Sequence, residues 1–147
     1  MDNLSINQVM FKNPVTRKYF LGTFPADRIP RVNKFPASFV VNMDNSDKLG
    51  SHWVAMYIPS RNTIYYYDSF GIKPSNPNIR RYLRRFKHPF ENKITFQSLI
   101  TDICGYYVMY FIYMSSRNHN VFSISKILCR QRNPDLFVWR FVKNHIL

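Results

Sequence analysis

The stretch GSHWVAMYIPSRNTIYYYDSFG, residues 50–71, sets two runs of aromatic and β-branched residues on either side of Pro-Ser-Arg-Asn. Such runs around a turn signal predict a β-hairpin. His52 opens the first run and Asp68 lies at the end of the second. A three-residue loop puts them opposite or diagonal to each other on one face, with Cβ atoms roughly 5 Å or 7–8 Å apart. A carboxylate at that range holds one imidazole nitrogen and favours the imidazolium. A loop of even length would send the two to opposite faces. Taken alone, the hairpin favours a structural pair over a catalytic one.

Cys104 lies downstream, after Asp102, a candidate helix N-cap, and opens the most apolar segment, CGYYVMYFIYM (104–114). A helix N-terminus favours a thiolate, and so would a neighbouring imidazolium. Cys, His and Asp so placed are the parts of a nucleophile with its base and orienter. The bland alternative is a small buried apolar side chain. Gln97 precedes Cys104 by seven residues and closes a predicted strand, KITFQ (93–97). Its amide, with the Cys104 backbone N–H, could hold the oxyanion of an acyl-transfer step, or it is simply a surface residue.

Outward from these residues, 1–36 read as irregular, punctuated by Pro14, Pro25, Pro30 and Pro36. ASFVVNMD (37–44) reads as a strand and 44–51 as a polar loop. PSNPNIRRYLRRF (74–86) reads as a helix capped by Asn76, with Ile79, Leu83 and Phe86 forming the apolar stripe. Arg80, Arg81, Arg84 and Arg85 flank that stripe, with Lys87 just beyond, as a ridge suited to phosphates. Segment 104–114 is apolar all round and must be buried on every side if helical. Cys129, beside Ile127 and Leu128, reads as structural. A last amphipathic helix starts near Pro134. Buried central helix, antiparallel sheet and peripheral helices give one α+β domain over 1–147.

The 147 residues are 46% apolar and 17% aromatic, enough for one core. No apolar run approaches the roughly 20 residues of a membrane span. The first residues lack the pattern of a signal peptide. Two cysteines make no disulfide framework, which favours a reducing compartment. Histidine and cysteine spacing suggests no metal. Net charge is +13; residues 1–70 hold 8 basic and 5 acidic side chains, and 71–147 hold 13 and 3. Such asymmetry points to a polyanion, most often nucleic acid, or to a merely solubilising surface.

The order His-Trp, YYYDSFG, Phe-Gln and, seven residues after the Gln, CGYY resembles the adenovirus protease (adenain) family, as does YFLGTFPADRIP (19–30). The likeness runs from about residue 19 to 114. It implies a circularly permuted papain-like fold, with His52 as general base, Asp68 as its orienter, Cys104 as nucleophile and Gln97 as oxyanion donor, helped by the Trp53 backbone. It also implies cleavage of viral precursor proteins after small Gly-containing motifs during virion maturation, in the virion and host nucleus, by a monomer. The family uses non-specific double-stranded DNA as a cofactor, and a short peptide can activate it through a disulfide upstream of the nucleophile. Here no Cys lies between Tyr65 and Ile103, and Cys129 falls downstream. A ubiquitin-like-protein protease of the same clan and a DNA-packaging protein on a relic protease fold are the rival readings.

Overall fold

The computed structural model describes residues 3–43, 52–98 and 101–147. The predicted loop at 44–51 lies outside the described residues. In chain order the elements are α1 (Asn3–Lys12), β1 (Phe20–Pro25), a 3-10 turn (Ala26–Arg28), β2 (Ala37–Asn42), β3 (Trp53–Ser60) and β4 (Thr63–Tyr67). There follow α2 (Pro77–Leu83), β5 (His88–Glu91), α3 (Cys104–Ser116), α4 (Val121–Cys129) and α5 (Pro134–His145). The strands form one sheet in the order β1-β2-β3-β4-β5. Its centre is antiparallel, as expected, but β1–β2 and β4–β5 pair in parallel.

Both faces of this sheet are covered. Along β3, Ala55 and Tyr57 enter a core with α1, α3, α4 and α5, while Val54, Met56 and Ile58 enter a second core with α2 and the 3-10 turn. Two-sided burial explains why β2 and β3 read as continuous apolar runs rather than alternating ones. Segment 1–36, read as irregular, contains α1 and β1. The Asn3–Lys12 pattern is too weakly amphipathic to announce a helix; burial of Ile6 and Met10 against α3 makes it one.

The central helix α3 is the expected one, and eight of its aromatic, aliphatic and sulfur side chains, Tyr107 to Met114, lie in the first core. Tyr67 of β4 stacks on Phe111 at 4.7 Å between ring centroids, and its hydroxyl meets the Ser115 hydroxyl at 2.8 Å. Segment 93–97 is not a strand; the edge strand is His88–Glu91 instead. Helix α2 starts where predicted, with Asn76 Oδ1 accepting from the Asn78 N–H, but it stops at Leu83. Its buried residues are Ile79 and Tyr82, so Leu83 and Phe86 form only the half-buried margin.

The hairpin reaches the expected parity by another route. Its turn is two residues long, since Ser60 pairs with Thr63. That even loop alone would separate His52 from Asp68. A bulge between Tyr57 and Ser60 then sets two β3 residues, Ile58 and Pro59, against Ile64. Proline has no N–H for a ladder and belongs at such a bulge. Beyond it the register is Tyr57↔Tyr65 and Ala55↔Tyr67, which places His52 diagonal to Asp68 and opposite Phe70.

Candidate active site

β4 delivers Asp68 into the turn Asp68-Ser69-Phe70-Gly71. Asp68 Oδ1 accepts from the Phe70 N–H at 3.0 Å and bonds His52 Nε2 at 2.7 Å. The Gly71 N–H closes the turn on the Asp68 carbonyl at 2.8 Å. Gly71 has φ 64°, and a Cβ there would sit 2.5 Å from the Ile94 carbonyl oxygen, so only glycine fits. The Phe70 ring lies 4.8 Å from that of His52. Asn92, which no motif flagged, clasps the Asp68 backbone. Its Oδ1 accepts the Asp68 N–H at 2.9 Å and its Nδ2 donates to the Asp68 carbonyl at 2.6 Å. Asn92 directly follows the last β4–β5 pair, so its amide continues the ladder where the backbone leaves it.

Cys104 is the first residue of α3 and is buried. The cap position is Ile103, and no side chain caps the helix. Asp102 is exposed and not the expected cap. The first N–H groups are therefore left for the sulfur. Burial alone would push the Cys104 thiol up; hydrogen bonds from His52 and from the Trp53 and Gly105 backbone N–H groups outweigh it and lower its pKa. Burial pulls His52 down, but Asp68 and then Cys104 overcome it and raise its pKa to about 9. With Nε2 on Asp68, Nδ1 is the nitrogen left for the thiol. Opposite shifts in adjacent groups favour a thiolate–imidazolium pair at neutral pH. Trp53 is itself tied down, its indole N–H donating to Asn3 Oδ1 at 2.6 Å.

Gln97 is buried rather than superficial, at 2% exposure. Its Oε1 accepts the Ser69 hydroxyl at 2.6 Å and its Nε2 donates to the Thr101 carbonyl at 2.9 Å. A carboxamide nitrogen carries two protons, so one N–H remains uncommitted by that bond. The Phe96 and Gln97 N–H groups both donate to the Ser69 carbonyl, at 2.8 and 3.0 Å. Thus the Asp68 turn and the approach to Cys104 are knitted together by hydrogen bonds instead of by a strand. Asp135, in the first turn of α5, secures the same approach. Its carboxylate accepts from the Ser98 N–H, from the Thr101 hydroxyl at 3.0 Å and from the Tyr107 hydroxyl at 2.8 Å. Nothing in its local sequence marks this role, because it depends on α5 docking beside α3.

The basic residues lie elsewhere. Arg80 and Arg81 are on α2, Arg84 is its C-cap, and Arg85 and Lys87 follow it, so four arginines in two helical rows do not form. Arg80 donates to the Ser75 carbonyl and Arg81 to Asn78 Oδ1. Helix α2 itself packs, through Ile79 and Tyr82, on the sheet face away from α3. Cys129 is exposed, against expectation, since α4 turns Leu128 inward and its own last residue out. Among the described residues no group of three His, Cys, Asp or Glu could hold a metal, and no helix is long and apolar enough to cross a membrane.

The chain is similar to the crystal structure of ASFV pS273R protease, with a TM-score of 0.52 and 26% sequence identity. The fold is that of a viral cysteine protease. The match covers 75% of this chain and 44% of the other, so the chain spans less than half the length of that protein. No protein-family model and no curated protein sequence matches.

Proposed function

We propose that the chain is a cysteine endopeptidase worked by Cys104, His52 and Asp68. The observation that carries this is His52 held between Asp68, at 2.7 Å, and the Cys104 thiol at the start of α3. Similarity to a solved viral protease supports it. The Cys104 thiolate attacks the scissile carbonyl carbon, and the carbonyl electron pair moves onto oxygen. Backbone N–H groups at Trp53 and the start of α3, with the remaining Gln97 N–H, are the donors at hand for that oxyanion. The His52 imidazolium gives its proton to the leaving amine, leaving a thioester on Cys104. Neutral His52 then takes a proton from water, which attacks the thioester and releases the acid and the thiol.

The finer reading is of the adenain kind. Its substrates would be viral precursor proteins cut after small Gly-containing motifs in the virion or host nucleus, with duplex DNA and an activating peptide as stimulants. It rests on the ordered motifs at His52, Asp68, Gln97 and Cys104 and on the basic second half. The test compares peptides with an internal Gly-Gly-x site against ubiquitin-like C-terminal substrates, with and without DNA. The internal site should be cut and Cys104→Ala should be inert with an unchanged circular dichroism spectrum. Cleavage by Cys104→Ala would end the protease reading; preference for ubiquitin-like termini would move it to the rival protease class.

A further inference from the structure

A cavity of about 350 Å³ opens on the sheet face away from Cys104, at the turn end of the β3–β4 hairpin. Three chain-distant arginines line it: Arg31 from the loop after the 3-10 turn, Arg61 from the hairpin turn and Arg85 from beyond α2. Phe35, Tyr82 and Phe86 form its apolar walls. Among its described lining residues there is no carboxylate.

Two of the arginines are laid on the cavity's own rings. The Arg61 guanidinium sits 5.8 Å from the Phe35 centroid and that of Arg85 lies 5.4 Å from the Tyr82 centroid. The walls are pinned in turn, since the Tyr82 hydroxyl donates to the Pro30 carbonyl at 2.9 Å and its ring packs on Phe39 and Phe86. Stacking holds the forks in place before anything binds, which lowers the ordering cost of a ligand. Three like charges gathered around one concavity repel, and an anion with more than one charge is their complement. Planar guanidinium and phenyl surfaces add a place for a flat ring.

We propose that this cavity binds a nucleoside phosphate, with the phosphates on Arg31, Arg61 and Arg85 and the base against the aromatic wall. Its volume is within the range of small-molecule sites, roughly 300–1,000 Å³. A concavity of that size takes a single nucleotide and not a duplex, which separates this site from a DNA surface involving Arg80 and Arg84. It is also independent of the protease reading.

Isothermal titration calorimetry on the full chain, with ADP, pyrophosphate and adenosine as probes, tests it. ADP should bind about tenfold or more tightly than either fragment, because each fragment satisfies only half of the lining. Arg31→Gln and Arg85→Gln should each weaken ADP about tenfold, the usual effect of losing one charge-assisted hydrogen bond. Phe86→Leu, which keeps apolar bulk and removes the ring, should weaken ADP but not pyrophosphate. Arg80→Gln and Cys104→Ala should bind ADP as wild type does. No ADP binding, equal binding of ADP and pyrophosphate, or an equal loss in Arg80→Gln would each overturn the proposal; the last two would mean diffuse anion attraction.

Discussion

Oδ1 of Asp68 accepts two hydrogen bonds, one from its own turn and one from His52, and the placing of the His52 ring depends on both being kept. His52 is raised from 6.5 to about 9, so its pairing stabilises the fold fully below about 6.5 and fades as pH rises through 9. Cys104 is lowered, so the thiolate persists to lower pH than a free thiol. Cleavage should therefore show a plateau that ends near pH 9 on the alkaline side. Asp68→Asn should move that alkaline limb toward neutrality as the imidazolium loses its partner; a limb that stays put in the pH–rate profile would make Asp68 a bystander. Asn92 acts through Asp68. Asn92→Ala leaves a buried backbone N–H without its acceptor, a cost of about 1–3 kcal/mol in denaturant unfolding. If its role is positioning and not merely structural, the alkaline limb shifts as well. Gln97→Ala should lower kcat about 10²–10³-fold with little change in KM, the usual effect of one lost oxyanion donor. Unchanged kcat would assign Gln97 solely to bracing Ser69 and Thr101.

Two junctions between elements set the site. In the hairpin, the Pro59 bulge reverses the parity that a two-residue turn imposes, and so returns His52 to the face of Asp68. Between α5 and α3, Asp135 gathers Ser98, Thr101 and Tyr107. Asp135→Ala should cost about 1–3 kcal/mol through the unpaired Tyr107 hydroxyl. It should also reduce kcat more than KM, because Thr101 is the acceptor that orients the Gln97 amide. A stability loss with intact kcat would restrict Asp135 to holding the helices together.

The sheet separates two kinds of surface. Cys104 opens α3 on one face of the sheet, and His52 and Asp68 stand at the ends of β3 and β4, whereas α2, with Arg80 and Arg81, packs on the opposite face. If Arg80, Arg81, Arg84 and Arg85 each met one phosphate, changing all four to Gln would flatten the salt slope of DNA binding by about 3.6 log units per log unit of salt. Arg80 and Arg81 already bond Ser75 and Asn78, which must be exchanged on binding, so the expected change is smaller. An unchanged slope in a salt titration would place the DNA surface elsewhere, with Arg130, Arg132, Arg140 and Lys143 as the next group to replace. Cleavage of a short uncharged peptide without DNA should be unaffected by the four changes.

What could be read along the chain were properties of short range. Alternating and continuous apolar runs announced β2, β3, β4 and α3, and Asn76-Pro77 and Asn133-Pro134 marked two helix starts through capping and proline geometry. His52, Asp68, Cys104 and Gln97 could be singled out as candidates because the chemistry expected of them is tied to residue type and ordered spacing. The tertiary structure decided whatever depended on packing partners. It made a helix of the weakly patterned Asn3–Lys12 through Ile6 and Met10, and refused a strand at 93–97, whose N–H groups serve the Ser69 carbonyl. It turned Cys129 outward and ended α2 before Arg85. Asn92 and Asp135 gained their roles only when β5 and α5 docked, because a polar side chain's partner is set by what folds against it, and no local pattern encodes that neighbour.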